Sequence, residues 1–364
     1  MNAKAHIHGL TAARGLAAWM VVLFHIRSGT PWLPGGVMAV VDKGYLAVDF
    51  FFLLSGFVIY LSTHEAMLES GARAIPAFLK RRAARIYPLY GTILALTILF
   101  AALLNATDRD ASGYPWGELP LHIMMLQNWG FTSELTWNHP AWSISTEFAA
   151  YLIFPLIVIA TPIARAPRWA LVTGIAAAIG VMAAWLRSAG LADLGEDIPQ
   201  FGLVRCLFEF SAGCMLCALW LRCADRRERM PVGIALLVLV GAGLAWSGDA
   251  SRELWAFPAM AAAGIFLIAQ GSRSGWQDRP SPVWRALVYL GEISYATYLV
   301  HYMLFIWFKI VAVEDAANIP PMQIALFLAL TFIASVALYH GIEKPGRKLA
   351  RRTQRAELEP IGAS

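Results

Sequence analysis

Runs of about 20 apolar residues recur along nearly the whole of this 364-residue chain. No other feature limits its fold so sharply. A run of that length matches the hydrocarbon thickness of a bilayer. In lipid every backbone N–H and C=O must be paired inside the structure, and runs this long are helices rather than barrel strands. Ten spans are expected, at about 10–27, 46–63, 86–104, 142–161, 169–187, 203–221, 231–247, 254–270, 286–309 and 321–342. The chain reads as an all-α polytopic membrane protein. Only 15% of its residues are charged, against about 25% in a typical soluble domain.

The connecting loops carry the orientation. Alternate loops hold twenty-one basic residues: Lys4; Arg73, Lys80, Arg81, Arg82 and Arg85; Arg165 and Arg168; Arg222, Arg226, Arg227 and Arg229; Arg273, Arg279 and Arg285; and six from Lys344 to Arg355. The other set holds five, Arg27, Lys43, Arg109, Arg187 and Arg252. The positive-inside rule then places both termini in the cytoplasm. Residues 1–350 form one transmembrane domain and 351–364 a short basic cytoplasmic tail. The net charge of +5 is thus a topology signal, and no nucleic-acid partner is expected. Arg14 interrupts what would otherwise resemble a signal peptide, so the first helix is read as retained. Cys206, Cys214, Cys217 and Cys223 cluster in or beside one apolar run, as packing thiols rather than a disulfide framework. His6 and His8 do not by themselves make a metal site, and none is expected. The long loop at about 105–141 contains "LPLHIMMLQNW", too short to span and suited to a re-entrant or interfacial position over a site.

Polar residues inside the apolar runs point to chemistry. Arg14 and His25 are eleven residues apart, which on a helix is three turns plus about 20°; they share a face, about 16 Å apart along the axis. A charge at a bilayer centre costs roughly 2.5–3.5 kcal/mol, so such residues mark functional sites. Glu147, in "HPAWSISTEFAAYLIFP", is expected at the depth of His25, as an orienting partner for an imidazole base. Arg82 and Arg85, within "FLKRRAARIYPLYG", either anchor the third helix or bind a polyphosphate, for which guanidinium forks are suited. Arg205 and Glu209 are spaced as an i, i+4 ion pair, with acceptor binding as the alternative. His301 reads as a packing or hydrogen-bonding histidine. Ser55, Ser143 and Ser145 are candidates for oxyanion stabilisation.

Six pieces in order resemble the integral-membrane acyltransferase family 3, which includes O-antigen and exopolysaccharide O-acetyltransferases: "RGLAAWMVVLFH", "GYLAVDFFFLLSGFVI", "RRAARIYPLY", "WSISTEFAAYLIFP", "GEISYATYLVHY" and "GIEKPGRKL". The resemblance covers about residues 8–350 and matches the stand-alone branch, without an esterase-like C-terminal domain. It implies an integral protein of the bacterial inner (plasma) membrane. The implied donor is cytoplasmic acyl-CoA, usually acetyl-CoA; the implied acceptor is a hydroxyl of a cell-surface or lipid-linked carbohydrate or glycolipid. The family's arginine–histidine pair falls on Arg14 and His25, its glutamate on Glu147, its basic stretch on Arg82 and Arg85, and its aromatic–glycine motif on Phe51 to Phe57. The rival reading is a secondary transporter of a small polar or anionic substrate, although the chain shows no internal repeat.

Overall fold

The computed structural model describes residues 7–223, 229–273 and 281–349. Lys4, His6, Arg226, Arg227, Arg279 and the 351–364 tail lie outside the described residues. The described residues are mainly helical, with no strand among them. Twelve α-helices follow in order: α1 His8–Ile26, α2 Gly35–Val41, α3 Ala47–Ser70, α4 Ile75–Ala106, α5 Leu119–Met124, α6 Ala141–Ala160, α7 Arg168–Ser188, α8 Ile198–Arg222, α9 Met230–Gly248, α10 Glu253–Ser272, α11 Pro282–Ala312 and α12 Pro321–Leu338. Among the described residues nine stretches are long and apolar enough to cross a membrane, and one of them, 35–106, contains both α3 and α4. The ten expected spans are therefore the ten long helices; α2 and α5 are short.

Two boundaries differ from expectation. α3 continues to Ser70, and α4 begins at Ile75 rather than near 86. At 32 residues, α4 is about 48 Å long, beyond the roughly 30 Å of a hydrocarbon core. Its first turns are rich in Ala, Leu, Lys and Arg, strong helix formers, so the helix runs on past its apolar part. Arg82 and Arg85 are consequently helical residues, not loop residues at a helix mouth.

Five helices close a ring in which each packs on the next: α1 on α3, α3 on α6, α6 on α4, α4 on α11, and α11 on α1. Behind α3 lies α8, followed by α7, α10 and α9. Glycines set the two closest seams. A Cβ on Gly15 would strike the backbone of Leu290 and Gly291, and one on Gly291 would strike Thr11. Between α3 and α8, Gly56 faces the backbone of Phe210 and Gly213 faces that of Leu53. The 107–140 loop folds over one end of the ring. Tyr90 Oη donates to the His122 carbonyl (2.6 Å), Asn138 Nδ2 to that of Leu299 (3.0 Å), and Gln127 Nε2 to that of Ala141 (3.2 Å). The four cysteines are buried free thiols.

Candidate active site

The seam between α1 and α11 positions both ends of the site. With no Cβ on Gly15 or Gly291, the helices approach closely enough for Arg14 to reach across. Its Nε and Nη2 donate to the Gly291 carbonyl at 3.2 and 2.6 Å. None of the described residues engages Nη1.

Three turns further along α1, His25 Nδ1 lies 2.8 Å from the Val21 carbonyl. A carbonyl only accepts, so Nδ1 carries the proton and Nε2 holds the free lone pair. The second neighbour of Nδ1 is His301 Nε2, at 3.3 Å. His301 is fully buried, and its own Nδ1 faces the Thr297 carbonyl at 3.2 Å. The same logic puts the His301 proton on Nδ1, so its Nε2 accepts a share of the His25 Nδ1–H bond. Tyr302 sets its ring edge-on to His25, with centroids 5.3 Å apart. Its hydroxyl shares a 2.8 Å hydrogen bond with His139 Nδ1. Burial holds His139 below the usual histidine range.

Glu147 does not meet His25. The mouth of α6 is at the histidine level, where Tyr298 Oη donates to Pro140 O at 2.9 Å. Glu147 is seven residues further along α6, about 10 Å deeper. Its Oε1 accepts from Ser55 Oγ and from Tyr151 Oη, the latter at 2.5 Å. The Arg82 guanidinium lies 6.0 Å from the ring of Tyr151, whose hydroxyl is bonded to Glu147. The depth expectation fails because His25 lies level with the residues preceding α6, not with its second turn. Glu147 instead belongs to a cluster with Arg14, Arg82, Arg85, Glu343 and Arg347, the last two paired at 3.5 Å. Arg82 Nε is buried without a partner, and among the described residues Arg85 makes no hydrogen bond or ion pair. The cluster is an unsaturated cationic site at one end of the ring.

Arg205 also differs from expectation. Its partner is Asp49 on α3, held by Nε and Nη2 at 3.1 and 2.6 Å, and not Glu209. All three side chains are fully buried. Asp49 was legible as the one charge inside "GYLAVDFFFLLSGFVI". Ser145 is committed to the loop: its Oγ donates to Met125 O (2.8 Å) and accepts from Asn128 N (3.3 Å). Ser143 Oγ is 2.7 Å from Tyr298 Oη. A cavity of about 140 Å³ opens beside His25, walled by side chains that include His139, Trp142, Arg205 and Tyr298. Among the described residues no group of three or more His, Cys, Asp or Glu side chains could hold a metal ion.

Comparison with known proteins matches residues 7–340 to the family described as an acyltransferase domain. The chain is 29% identical to the acyltransferase MdmB of Streptomyces mycarofaciens, over 98% of this chain and 95% of that one. It is 24% identical to the O-acetyltransferase OatA of Staphylococcus aureus, over 96% of this chain. It is also 24% identical to YrhL of Bacillus subtilis, named as a candidate peptidoglycan O-acetyltransferase, over 94% of this chain. The chain spans 58% and 55% of the length of these last two. No solved structure matches it.

Proposed function

Because this chain belongs to the acyltransferase family that its residues 7–340 match, and is an integral membrane enzyme, we propose that it moves a short acyl group from acyl-CoA, acetyl-CoA foremost, to a carbohydrate hydroxyl. The donor enters at the cationic end. Arg82, Arg85 and the free Nη1 of Arg14 bind its phosphates, and its thioester reaches towards His25, about 16 Å away along α1. Glu147, fixed by Ser55 and Tyr151, is the counter-charge that keeps these guanidinium groups in place. The basic-loop bias supports a cytoplasmic donor face and cytoplasmic termini.

His25 Nε2 takes the proton of the acceptor hydroxyl. The oxygen attacks the thioester carbon, a C–O bond forms, and the C–S bond breaks. The departing CoA thiolate takes the proton back from His25. A covalent relay through an acyl-histidine uses the same nitrogen. His301 is the positioning residue: beside the Val21 carbonyl it is the second acceptor for the Nδ1 proton, and it steadies the ring so that Nε2 stays available. The acceptor approaches through the 107–140 loop, where a small polar pocket is lined by residues including Gln127, Glu134, Thr136 and His139. The relatives named as O-acetyltransferases support the hydroxyl acceptor.

The observation that carries this reading is an imidazole with its Nδ1 pinned and its Nε2 bare, on the same helix face as the arginine that heads the cationic cluster. Membranes containing the protein, labelled acetyl-CoA and peptidoglycan fragments or pooled envelope glycans test it. Label should appear in base-labile esters with equimolar CoA release, and His25→Ala should reduce both at least about 100-fold. Equal label from wild type and His25→Ala would overturn the assignment.

A further inference from the structure

The cavity beside His25 differs in chemistry from the pocket under the loop. Its walls include Val21, Val48, Leu194 and Ile198. Several of the polar groups it touches are engaged elsewhere: Tyr45 Oη donates to Glu253 (2.5 Å), Tyr298 Oη to Pro140 O (2.9 Å), and Arg205 gives Nε and Nη2 to Asp49 (3.1 and 2.6 Å), with only its Nη1 left unpartnered. A sugar ring placed there would bury several hydroxyls without partners, at a cost of about 1–3 kcal/mol each. An alkyl chain has no such cost. Polar donors and acceptors gather instead in the neighbouring pocket, which shares Leu135, His139 and Trp142 with the cavity.

We infer that this cavity is the pocket for the donor's acyl chain, and that Ile198 and Val48 set an upper limit on chain length. The inference rests on the acyl-CoA reading above. An apolar cavity of about 150 Å³ holds a benzene-sized molecule, about six heavy atoms. At about 140 Å³ the present one accommodates a carbonyl oxygen and about four or five carbons. Acetyl, propionyl and butyryl groups fit; hexanoyl and octanoyl groups exceed the space. Ile198 opens α8 and is only partly buried, so shortening it enlarges the cavity at one wall. Val48 lies in the first turn of α3 and is buried, so lengthening it fills the cavity.

Competition binding on the purified full-length protein tests this, with labelled acetyl-CoA displaced by butyryl-, hexanoyl- and octanoyl-CoA. In wild type, octanoyl-CoA should compete at least 10-fold less well than butyryl-CoA. Ile198→Ala should narrow that gap at least 3-fold, and Val48→Phe should lower butyryl-CoA relative to acetyl-CoA. A chain-length profile that is flat, or that is unchanged in both variants, would overturn the pocket assignment while leaving the donor assignment intact. No binding of labelled acetyl-CoA by wild type would overturn the donor assignment, and the pocket with it.

Discussion

On Nδ1, His25 faces a carbonyl and a second imidazole rather than a carboxylate. Such a pair fixes a tautomer without adding charge, so the proposed base would keep its direction but gain no electrostatic help. His301→Gln retains the second acceptor for the Nδ1 proton, whereas His301→Leu leaves only the Val21 carbonyl. Turnover should fall about 10–100-fold in His301→Leu, by analogy with the loss of a group that orients a metal-binding histidine. KM for the donor should hardly change, and His301→Gln should recover most of the rate; steady-state kinetics on the three proteins decide it. The shared face of Arg14 and His25 was legible from the sequence, since helix geometry alone relates residues on one helix. Their partners were not. Whether Glu147 meets His25 or Arg82 depends on the relative heights of α6 and α1, and whether Arg205 meets Glu209 or Asp49 depends on which helix lies against α8. Periodicity contains neither quantity.

At the scale of elements, glycines decide how near the helices come. A leucine at Gly213 would drive α3 and α8 apart, since its Cβ already meets the Leu53 backbone. Overpacking of this kind typically costs about 1–3 kcal/mol. Gly213→Leu should therefore lower the thermal unfolding midpoint in detergent, while Gly241→Leu on α9, where a Cβ meets nothing within 4 Å, should not. The existence of the ten long helices was legible because lipid leaves the backbone few alternatives. The overrun of α4 was less so, because polar turns beyond the bilayer carry no hydropathy signal. Within the loop, His122 is buried beside Thr136, and burial lowers its pKa to about 4. The unfolded loop binds that proton more readily than the folded one, so His122 costs the fold nothing above about pH 6.5 and destabilises it as pH falls towards 4. Proteolysis of the 107–140 loop should accelerate over that window, and His122→Gln should flatten the dependence.

For the whole molecule, the ring of α1, α3, α6, α4 and α11 gathers nearly every polar candidate, and the remaining helices buttress it against lipid. The proposed orientation is measurable with single cysteines, because the native four are buried. In intact cells an impermeant maleimide should label Glu134→Cys and leave Arg73→Cys unlabelled until the membrane is permeabilised; the reverse pattern would invert the topology.

Gly291 and His301 lie ten residues apart on α11, and Arg14 and His25 eleven apart on α1. The two helices run side by side as matched rulers, about 15 and 16 Å between their marks. Because the glycine seam leaves no slack, neither ruler can slide against the other without disturbing both ends together. On the proposed donor path, an acyl-CoA gripped at the guanidinium end would be measured at the imidazole end, and a truncated acyl-pantetheine, long enough to react but without the distal phosphates, would arrive unregistered.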